Sequence, residues 1–207
     1  MKNQLNTSTY SVANLSQNCY IEMIRIIAGE FRGRKLKVPT GNDVRPTSDK
    51  VREALFNLLT SMLNWNKMTV LDLYAGSGAL GLEALSRGAK KAIFVESSKK
   101  HVSIILKNIL MLSLEQTKYE LVQGRAKSWI PNFADPERPC LVFLDPPFSS
   151  DEYDLILEKL AILPAIRTGS LIVVESPSTR EIMFAENMEL LKHRRYGSIT
   201  LDILRKS

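Results

Sequence analysis

Two short runs of the sequence carry residue types that could do chemistry. The first is Asp145-Pro146-Pro147-Phe148, which directly follows the apolar residues 141–144. Proline fixes the backbone and has no N–H, so the Asp145 carboxylate and the Pro146 carbonyl form a stiff pair of acceptors. Such a pair can hold both hydrogens of an exocyclic amine on a nucleobase, while Phe148 stacks on the base. The alternative interpretation is a rigid loop with Phe148 packed in the core.

The second run is a glycine-rich turn between a buried apolar stretch and a helical stretch. Gly76, Gly78 and Gly81 have the spacing G-x-G-x-x-G, which lets the backbone turn tightly and approach a ligand. Glu96 ends the next apolar run, where an acid can accept hydrogen bonds from both hydroxyls of a ribose. No Lys-Ser/Thr pair follows, which excludes a Walker loop. The pattern predicts a ribose-bearing cofactor; the alternative is a turn that only joins packed elements.

Asp72 narrows the choice of cofactor. It lies four residues before Gly76, at the predicted end of the buried strand. A carboxylate there suits an ammonium or sulfonium group better than a pyrophosphate, which favours S-adenosylmethionine over NAD, although spacing alone does not decide. The alternative is an acid that caps nearby backbone N–H groups. The predicted reaction is in-line methyl transfer from a sulfonium to an amine nitrogen, which depends on positioning and electrostatics and needs no metal.

These residues require a sheet that brings strand ends together. Apolar patterning predicts a doubly wound, mostly parallel α/β sheet, because strands and helices alternate along the chain. The strands are expected at about 68–73, 92–96, 119–122, 140–144 and 170–175. Helices are expected after an N-cap at Thr47 or Ser48 and at about 78–87, 99–112 and 151–163, with a weak one at 127–129. Residues 188–193 and 198–204 predict a terminal antiparallel hairpin.

The N-terminal part is distinct in composition. Residues 1–22 are rich in Asn, Ser and Thr and predict a disordered leader, with Met23 a plausible start. Residues 23–46 predict a basic β-hairpin extension, and residues 47–207 the main domain. Eight Lys or Arg oppose three acids over residues 23–52, which therefore carry five of the six net positive charges. The expected phosphate contacts are Arg32, Arg34, Lys35, Lys37, Arg45 and Arg52.

Composition excludes several classes of protein. The chain has 207 residues, 44% of them hydrophobic and 24% charged, which suits one globular domain. No apolar run is long enough for a membrane span or a signal peptide, which argues for the cytoplasm. Two cysteines and two histidines at unrelated positions predict neither a disulfide framework nor a zinc site. The basic run at residues 192–195 is interpreted as solvated charge, with RNA contact as the alternative.

The chain resembles the bacterial methyltransferases that modify the exocyclic N2 of one guanine in small-subunit (16S) ribosomal RNA. The resemblance extends from about Met23 to the end, and the basic N-terminal motifs make it specific. It is carried by Arg25-Ile26-Ile27-Ala28-Gly29, Arg32-Gly33-Arg34-Lys35-Leu36, Arg45-Pro46-Thr47, Arg52-Glu53-Ala54-Leu55-Phe56-Asn57, the loop at residues 72–81, the turn at residues 145–148 and Tyr196-Gly197.

The resemblance implies a Rossmann-like class I methyltransferase with a seven-stranded sheet and S-adenosylmethionine as the methyl donor. It also implies that the hairpin grips 16S rRNA within the 30S subunit or its assembly intermediate. We expect a monomer, although the residues themselves indicate no oligomeric state. The expected catalytic residues are Asp145, Pro146, Pro147 and Phe148. The expected cofactor contacts are Asp72, Tyr74, Ala75, Gly76, Ser77, Gly78, Gly81, Glu96, Ser97, Arg125, Ala126 and Asp145.

One departure from the family pattern leaves alternatives open. Such enzymes usually have an acid after the third strand that holds the adenine amino group, whereas this chain has Gln123-Gly124-Arg125-Ala126. Arginine cannot accept a hydrogen bond, so three alternatives stay open: the adenine is held by the backbone near Ala126, is held by Gln123, or is bound more loosely. The departure favours a non-catalytic RNA-binding assembly factor as one alternative. A DNA adenine-N6 methyltransferase is another, although short connections leave no room for a target-recognition insertion. A dehydrogenase fits least, because no second catalytic domain follows.

Overall fold

The computed structural model describes residues 23–39, 48–134 and 139–207. The predicted leader and Arg45 lie outside the described residues. In chain order the elements are β1 (Met23–Arg25), β2 (Lys35–Lys37), α1 (Asp49–Met62), β3 (Thr69–Asp72), α2 (Ala79–Ser86), β4 (Lys91–Glu96), α3 (Lys99–Met111), β5 (Tyr119–Gln123), α4 (Ala126–Trp129), β6 (Cys140–Leu144), α5 (Tyr153–Ile162), β7 (Leu171–Pro177), β8 (Met188–Tyr196) and β9 (Ile199–Lys206). Short 3₁₀ turns span Trp65–Lys67, Gln116–Lys118 and Ile130–Asn132.

The main sheet has seven strands in the order β5-β4-β3-β6-β7-β9-β8. Strands β3 to β7 are parallel, and β9 runs antiparallel between β7 and β8. The predicted doubly wound α/β fold, its seven strands and its terminal antiparallel hairpin are therefore confirmed. The strand order reverses between β3 and β6, and in open parallel sheets ligands bind outside the carboxyl ends of the strands at such a point.

Helices cover both faces of the sheet, which explains why its strands are apolar on both sides. On one face α1, α2 and α3 enclose a core in which the rings of Phe56 and Phe143 lie 5.7 Å apart. On the other face α4 and α5 bury Tyr153 and Leu157. In the part of the chain that the structure describes, no helix is long and apolar enough to cross a membrane.

Serine caps set where two of these helices begin. The Ser48 hydroxyl accepts a hydrogen bond from the Val51 N–H at the start of α1, and Ser98 does the same for the His101 N–H at the start of α3. A hydroxyl acceptor satisfies an N–H that has no partner within the helix. Helix α3 therefore begins three residues after Glu96, which fixes the course of the chain beyond β4.

The hairpin of β1 and β2 packs directly on the main domain. Ile26 and Leu36 are buried in the core shared with α1 to α3. Glu83 of α2, itself buried, accepts hydrogen bonds from the Ile27 N–H at 2.7 Å and the Ala28 N–H at 3.1 Å. The predicted hairpin is thus present, and a buried carboxylate anchors it. The predicted boundary at residue 46 lies outside the described residues and stays a prediction.

Candidate active site

The two chemical motifs emerge side by side from neighbouring parallel strands. Asp72 at the end of β3 lies in register with Phe143 of β6, and the Leu73 N–H donates to the Phe143 carbonyl at 3.1 Å. The glycine-rich turn therefore follows one strand while Asp145 follows its neighbour. Because both loops leave the same edge of the sheet, they are close enough to serve one reaction.

The segments that follow β3 and β6 both line one cleft with a volume of about 270 Å³, whereas Asp72, the glycines of the turn and Asp145 are not among its lining residues. Four strand ends contribute to its wall. The lining residues are Leu73, Tyr74, Val95, Glu96, Ser97, Gly124, Arg125, Ala126, Pro147, Ser149, Ser150 and Glu152. The predicted contacts Tyr74, Glu96, Ser97, Arg125 and Ala126 are among them.

The glycine-rich turn has the conformation that its sequence requires. Gly76 and Gly78 have φ values of +55° and +79°, a region that other residues rarely adopt. The Gly78 N–H donates to the Ala75 carbonyl, and the Ser77 carbonyl accepts from Asn108 of α3. The third glycine allows close packing, because a Cβ on Gly81 would lie 2.3 Å from the Phe94 ring.

Glu96 ties this turn to the neighbouring strand. One carboxylate oxygen accepts from the Gly76 N–H at 2.8 Å and the other from the Ser98 N–H at 2.7 Å. Burial tends to raise the pKa of Glu96, but hydrogen bonds from His101, Ser98 and Gly76 hold that pKa below its usual range. The side chain is therefore an ionised acceptor at neutral pH; Oε1 also accepts from the Ser97 hydroxyl at 3.5 Å, and Oε2 keeps a further lone pair for a ligand.

Asp72 has a different electrostatic environment. Its carboxylate accepts from the Gly81 N–H at 3.0 Å, so the capping role considered from the sequence is present. Burial raises the pKa of Asp72 to about 7; the Gly81 N–H opposes this shift, and the charge of Glu96 adds to it. A positive ligand group nearby would favour the carboxylate form and lower this pKa.

Asp145 lies among other carboxyl groups. Strands β6 and β7 pair Leu144 with Val174, so Asp145 and Glu175 occupy the next level of adjacent parallel strands. Burial raises the pKa of Asp145 well above its usual range, and the charges of Glu175 and Asp72 raise it further. Such a cluster disfavours negative charge and favours a hydrogen-bond donor in the cleft.

In the rest of the Asp-Pro-Pro-Phe turn, Pro146 is held by a hydrogen bond, whereas Phe148 is exposed to solvent. Pro146 is buried, and its carbonyl accepts from the Tyr153 hydroxyl at 3.4 Å, which leaves one lone pair for a substrate. Phe148 is 44% exposed rather than packed in the core. An exposed ring beside the cleft is suited to stacking on a base.

Glu152 and Arg180 are site residues that the sequence analysis did not identify. Glu152 accepts from the Tyr74 hydroxyl at 2.9 Å and pairs with Lys127 at 2.6 Å, so it links three elements across the cleft wall. The Lys127 hydrogen bond holds the pKa of Glu152 below its usual range. An acid just before a helix was the available signal for Glu152, whereas nothing in the sequence marked Arg180.

Arg180 packs against the residues that follow the Asp145 turn. Its guanidinium donates to the Ser150 carbonyl at 2.7 Å and lies 4.6 Å from the centre of the Tyr153 ring. Tyr153 in turn holds the Pro146 carbonyl. Arg180 therefore contacts the far end of the turn directly and the near end through Tyr153.

We expect Arg180→Met to lower kcat for the predicted methyl transfer by about 10-fold with donor affinity unchanged, because misplaced catalytic groups lower the rate more than they weaken binding. Steady-state kinetics and a donor titration measure both quantities. The exposed neighbour Glu181 provides the control Glu181→Ala. A loss of donor affinity equal to the loss of kcat would contradict the positioning role of Arg180.

The residues predicted to contact RNA differ in how exposed their side chains are. Arg32 and Lys35 are exposed on the hairpin, and Lys37 is half-buried. Arg34 is exposed but donates to the Met111 carbonyl at the end of α3. These four stay predictions.

Arg52 requires a correction. It is 2% exposed and donates to the Arg25 carbonyl and to Asp49 at 3.0 Å, so it joins β1 to α1 instead of facing solvent. A guanidinium buried to this extent offers no surface to a phosphate group. The geometry therefore gives Arg52 a structural role.

Within residues 23–39, 48–134 and 139–207, no group of three or more His, Cys, Asp or Glu side chains could hold a metal ion.

The strand order, the antiparallel β9 and the glycine-rich turn followed by Glu96 together define a Rossmann-like class I methyltransferase fold. Comparison with known proteins agrees. The chain belongs to the family described as Conserved hypothetical protein 95, whose model matches residues 24–205.

Relatives and solved structures extend this result. The chain is 35% identical over 177 residues to "Ribosomal RNA small subunit methyltransferase D" of Haemophilus influenzae, which covers 86% of this chain and 91% of the relative. It is 39% identical over 153 residues to the Escherichia coli protein of that name, covering 74% of each. A solved structure titled "Putative methyltransferase yhhF from Escherichia coli" is 34% identical with a TM-score of 0.75, and the match covers 90% of this chain and 99% of that one.

Proposed function

We propose that this protein is an RNA methyltransferase that uses S-adenosylmethionine to methylate the exocyclic N2 of a guanine in 16S ribosomal RNA. The substrate form is the 30S subunit or its assembly intermediate, which places the protein in the cytoplasm. One observation carries the proposal: the segments that follow the adjacent strands β3 and β6 line the same cleft, Leu73 and Tyr74 from one and Pro147 from the other. The relatives named as ribosomal RNA methyltransferases support RNA as the substrate class.

The residues of the cleft fit S-adenosylmethionine. When bound, this cofactor supplies an electrophilic methyl group on a sulfonium sulfur. Glu96 is ionised and can accept hydrogen bonds from both ribose hydroxyls. Asp72 faces the glycine-rich turn and suits the positive charges of the cofactor. The backbone of residues 124–126 lines the cleft and can hold the adenine where Arg125 offers no acceptor.

The Asp145 turn would orient the guanine. The Asp145 carboxylate and the remaining lone pair of the Pro146 carbonyl accept the two N–H bonds of the exocyclic amine. This grip directs the nitrogen toward the cofactor, while Phe148 stacks on the ring. Methylation leaves one proton too many on the nitrogen, and Asp145, with its raised pKa, is positioned to accept it.

Three acceptors incubated with radiolabelled donor test this function: small subunits that lack the modification, naked 16S RNA and duplex DNA. We expect label in N2-methylguanine of the RNA, identified by nucleoside analysis. Transfer to DNA alone would favour an adenine-N6 methyltransferase. RNA binding without transfer to any acceptor would favour a non-catalytic assembly factor, the alternative that Arg125 suggests.

The pKa of Asp72 predicts that cofactor affinity depends on pH. Because that pKa is about 7 in the free protein, Asp72 must lose a proton to bind a positively charged donor below pH 7. The dissociation constant should rise by up to about 10-fold per pH unit as pH falls below 7, and stay constant above it. Calorimetric titrations from pH 5.5 to 8.5 measure this slope.

A matched variant identifies the titrating group. Asp72→Asn should bind more weakly and lose the slope. Because Asp145 also has a raised pKa, the comparison is repeated in an Asp145→Asn background. A slope that survives Asp72→Asn but disappears with Asp145→Asn would assign the proton to Asp145 instead.

A further inference from the structure

The last part of strand β8 brings unused positive charge to the level of the cleft. Strand register pairs Arg194 with Leu201 of β9, and Leu201 with Glu175 of β7. Glu175 is level with Asp145 on the neighbouring strand. Arg194 is therefore level with the proposed catalytic turn, three strand spacings away.

Arg194 and Arg195 are exposed and carry uncompensated charge. Arg194 donates to the His193 carbonyl and Arg195 to the Gly197 carbonyl, both within the same hairpin. Across the described ranges neither forms an ion pair with an acid. By contrast, Arg205 at the other end of the hairpin pairs with Glu189.

The charge is also unevenly distributed along the strand. Basic residues on an edge strand often serve only to prevent edge-to-edge pairing, and for that purpose any position along the edge would do. In β8 the far end carries Glu189 and Leu190, whereas the end near the cleft carries His193, Arg194 and Arg195. His193 lies 2.6 Å from Asp202, Lys192 is half-buried, and among the described residues of β8 Arg194 and Arg195 are the exposed arginines of this end.

We propose that Arg194 and Arg195 form a phosphate-binding edge that holds the RNA backbone beside the target guanine. This rests on the proposed function, because it assigns a second contact surface to the same substrate. Strands lie about 4.8 Å apart, so three spacings place the edge about 14 Å from the Asp145 strand. The forked guanidinium group binds phosphate oxygens in pairs, which suits a nucleic acid backbone.

The test compares two double variants, each of which removes two arginines. The two pairs lie near opposite ends of the strands on this side of the sheet. Arg194→Ala with Arg195→Ala removes the edge. Arg167→Ala with Arg205→Ala removes two exposed arginines near the start of β7, where Arg205 pairs with Leu171. Binding of 16S RNA is measured by filter retention at several salt concentrations, together with donor affinity.

We expect the edge variant to flatten the slope of log affinity against log salt by about 1.5, with a roughly 10-fold weaker affinity. The control variant should leave the slope nearly unchanged. The double variant Arg194→Lys with Arg195→Lys should have the same salt slope as the unaltered protein, because counterion release depends on charge. Donor affinity should be the same in all variants.

RNA binding and methyl transfer together distinguish failure of the phosphate-binding edge from failure of the proposed function. Equal slopes for the edge and control variants, or no RNA binding by the unaltered protein, would overturn the phosphate-binding edge. Methyl transfer by the unaltered protein reports on the proposed function independently. A slope that depends on Arg194 and Arg195 without any transfer would support the edge and reject the enzyme.

Discussion

Replacing Asp145 with alanine should reduce methyl transfer by about 10²- to 10³-fold, the loss typical when a preorganised hydrogen-bonding group is removed from an active site. Cofactor affinity should change little, because Glu96 and the glycine-rich turn lie on other strands. The expected loss follows from the position of Asp145 at the end of β6, where it and Pro146 supply the two acceptors for the amine. Single-turnover rates at saturating RNA and a cofactor titration measure the two effects.

Replacing Asp145 with asparagine should stabilise the fold in alkaline solution. The pKa of Asp145 is raised in the folded state, so ionisation of this carboxyl opposes folding. That cost is absent near pH 3, where the unfolded group is also largely protonated, and grows as pH rises toward the folded pKa. We therefore expect Asp145→Asn to raise Tm at pH 8 and to leave it nearly unchanged near pH 3.

The exposed Asp151 provides a matched control. Asp151→Ala removes an acid six positions further along the chain and should alter neither turnover nor Tm. If Asp145→Ala retained full turnover, Asp145 would have no place in the mechanism. If it instead lowered Tm at pH 8 together with activity, the loss of activity would reflect unfolding rather than lost chemistry.

The fold could be predicted because its signals are local. Apolar runs of strand length alternate with helical patterns, and the glycine spacing of residues 76–81 fits the turn that joins β3 to α2. The sequence also indicated that β8 and β9 pair. It did not indicate that β9 lies inside the sheet beside β7, because strand order depends on packing between segments distant in sequence.

Arg52 illustrates how a charge count can mislead. It belongs to the most basic segment of the chain, yet it precedes Leu55, Phe56 and Leu59 by three, four and seven positions. Residues at those spacings share one face of a helix, so Arg52 lies on the buried face of α1. The helical pattern was the better guide to its role than the local charge.

The electrostatics of the site could not be predicted for a related reason. Asp145 and Glu175 are thirty positions apart in sequence and become neighbours only because β6 and β7 are adjacent and parallel. Likewise Arg180 reaches Ser150 and Tyr153 across a loop of the fold. Groups that tune an active site are often of this kind, because their effect depends on distance in space rather than along the chain.

Glu96→Ala should weaken S-adenosylmethionine binding by about 100-fold. Two hydrogen bonds from ribose hydroxyls to an ionised carboxylate are lost, and bonds to charged groups contribute a net of roughly 1.5–3 kcal/mol each, so the low end of this range corresponds to about 100-fold. Gly76 and Ser98 also lose their acceptor, which loosens the turn. Glu96→Gln keeps one acceptor oxygen in the same position and should weaken binding by only about 10-fold. Calorimetric titration of the free protein measures both values without requiring turnover.

A donor analogue without ribose hydroxyls tests whether Glu96 contacts the ribose directly. A donor analogue that lacks both ribose hydroxyls should bind the unaltered protein and Glu96→Ala with similar affinity, because the interaction removed by the mutation is already absent from the ligand. Glu120→Ala is the control: Glu120 lies on β5, pairs with Lys91 at 2.8 Å and does not line the cleft. If the analogue lost as much affinity as the natural cofactor, Glu96 would act by supporting the turn at Gly76, and the ribose would have to be held elsewhere in the cleft.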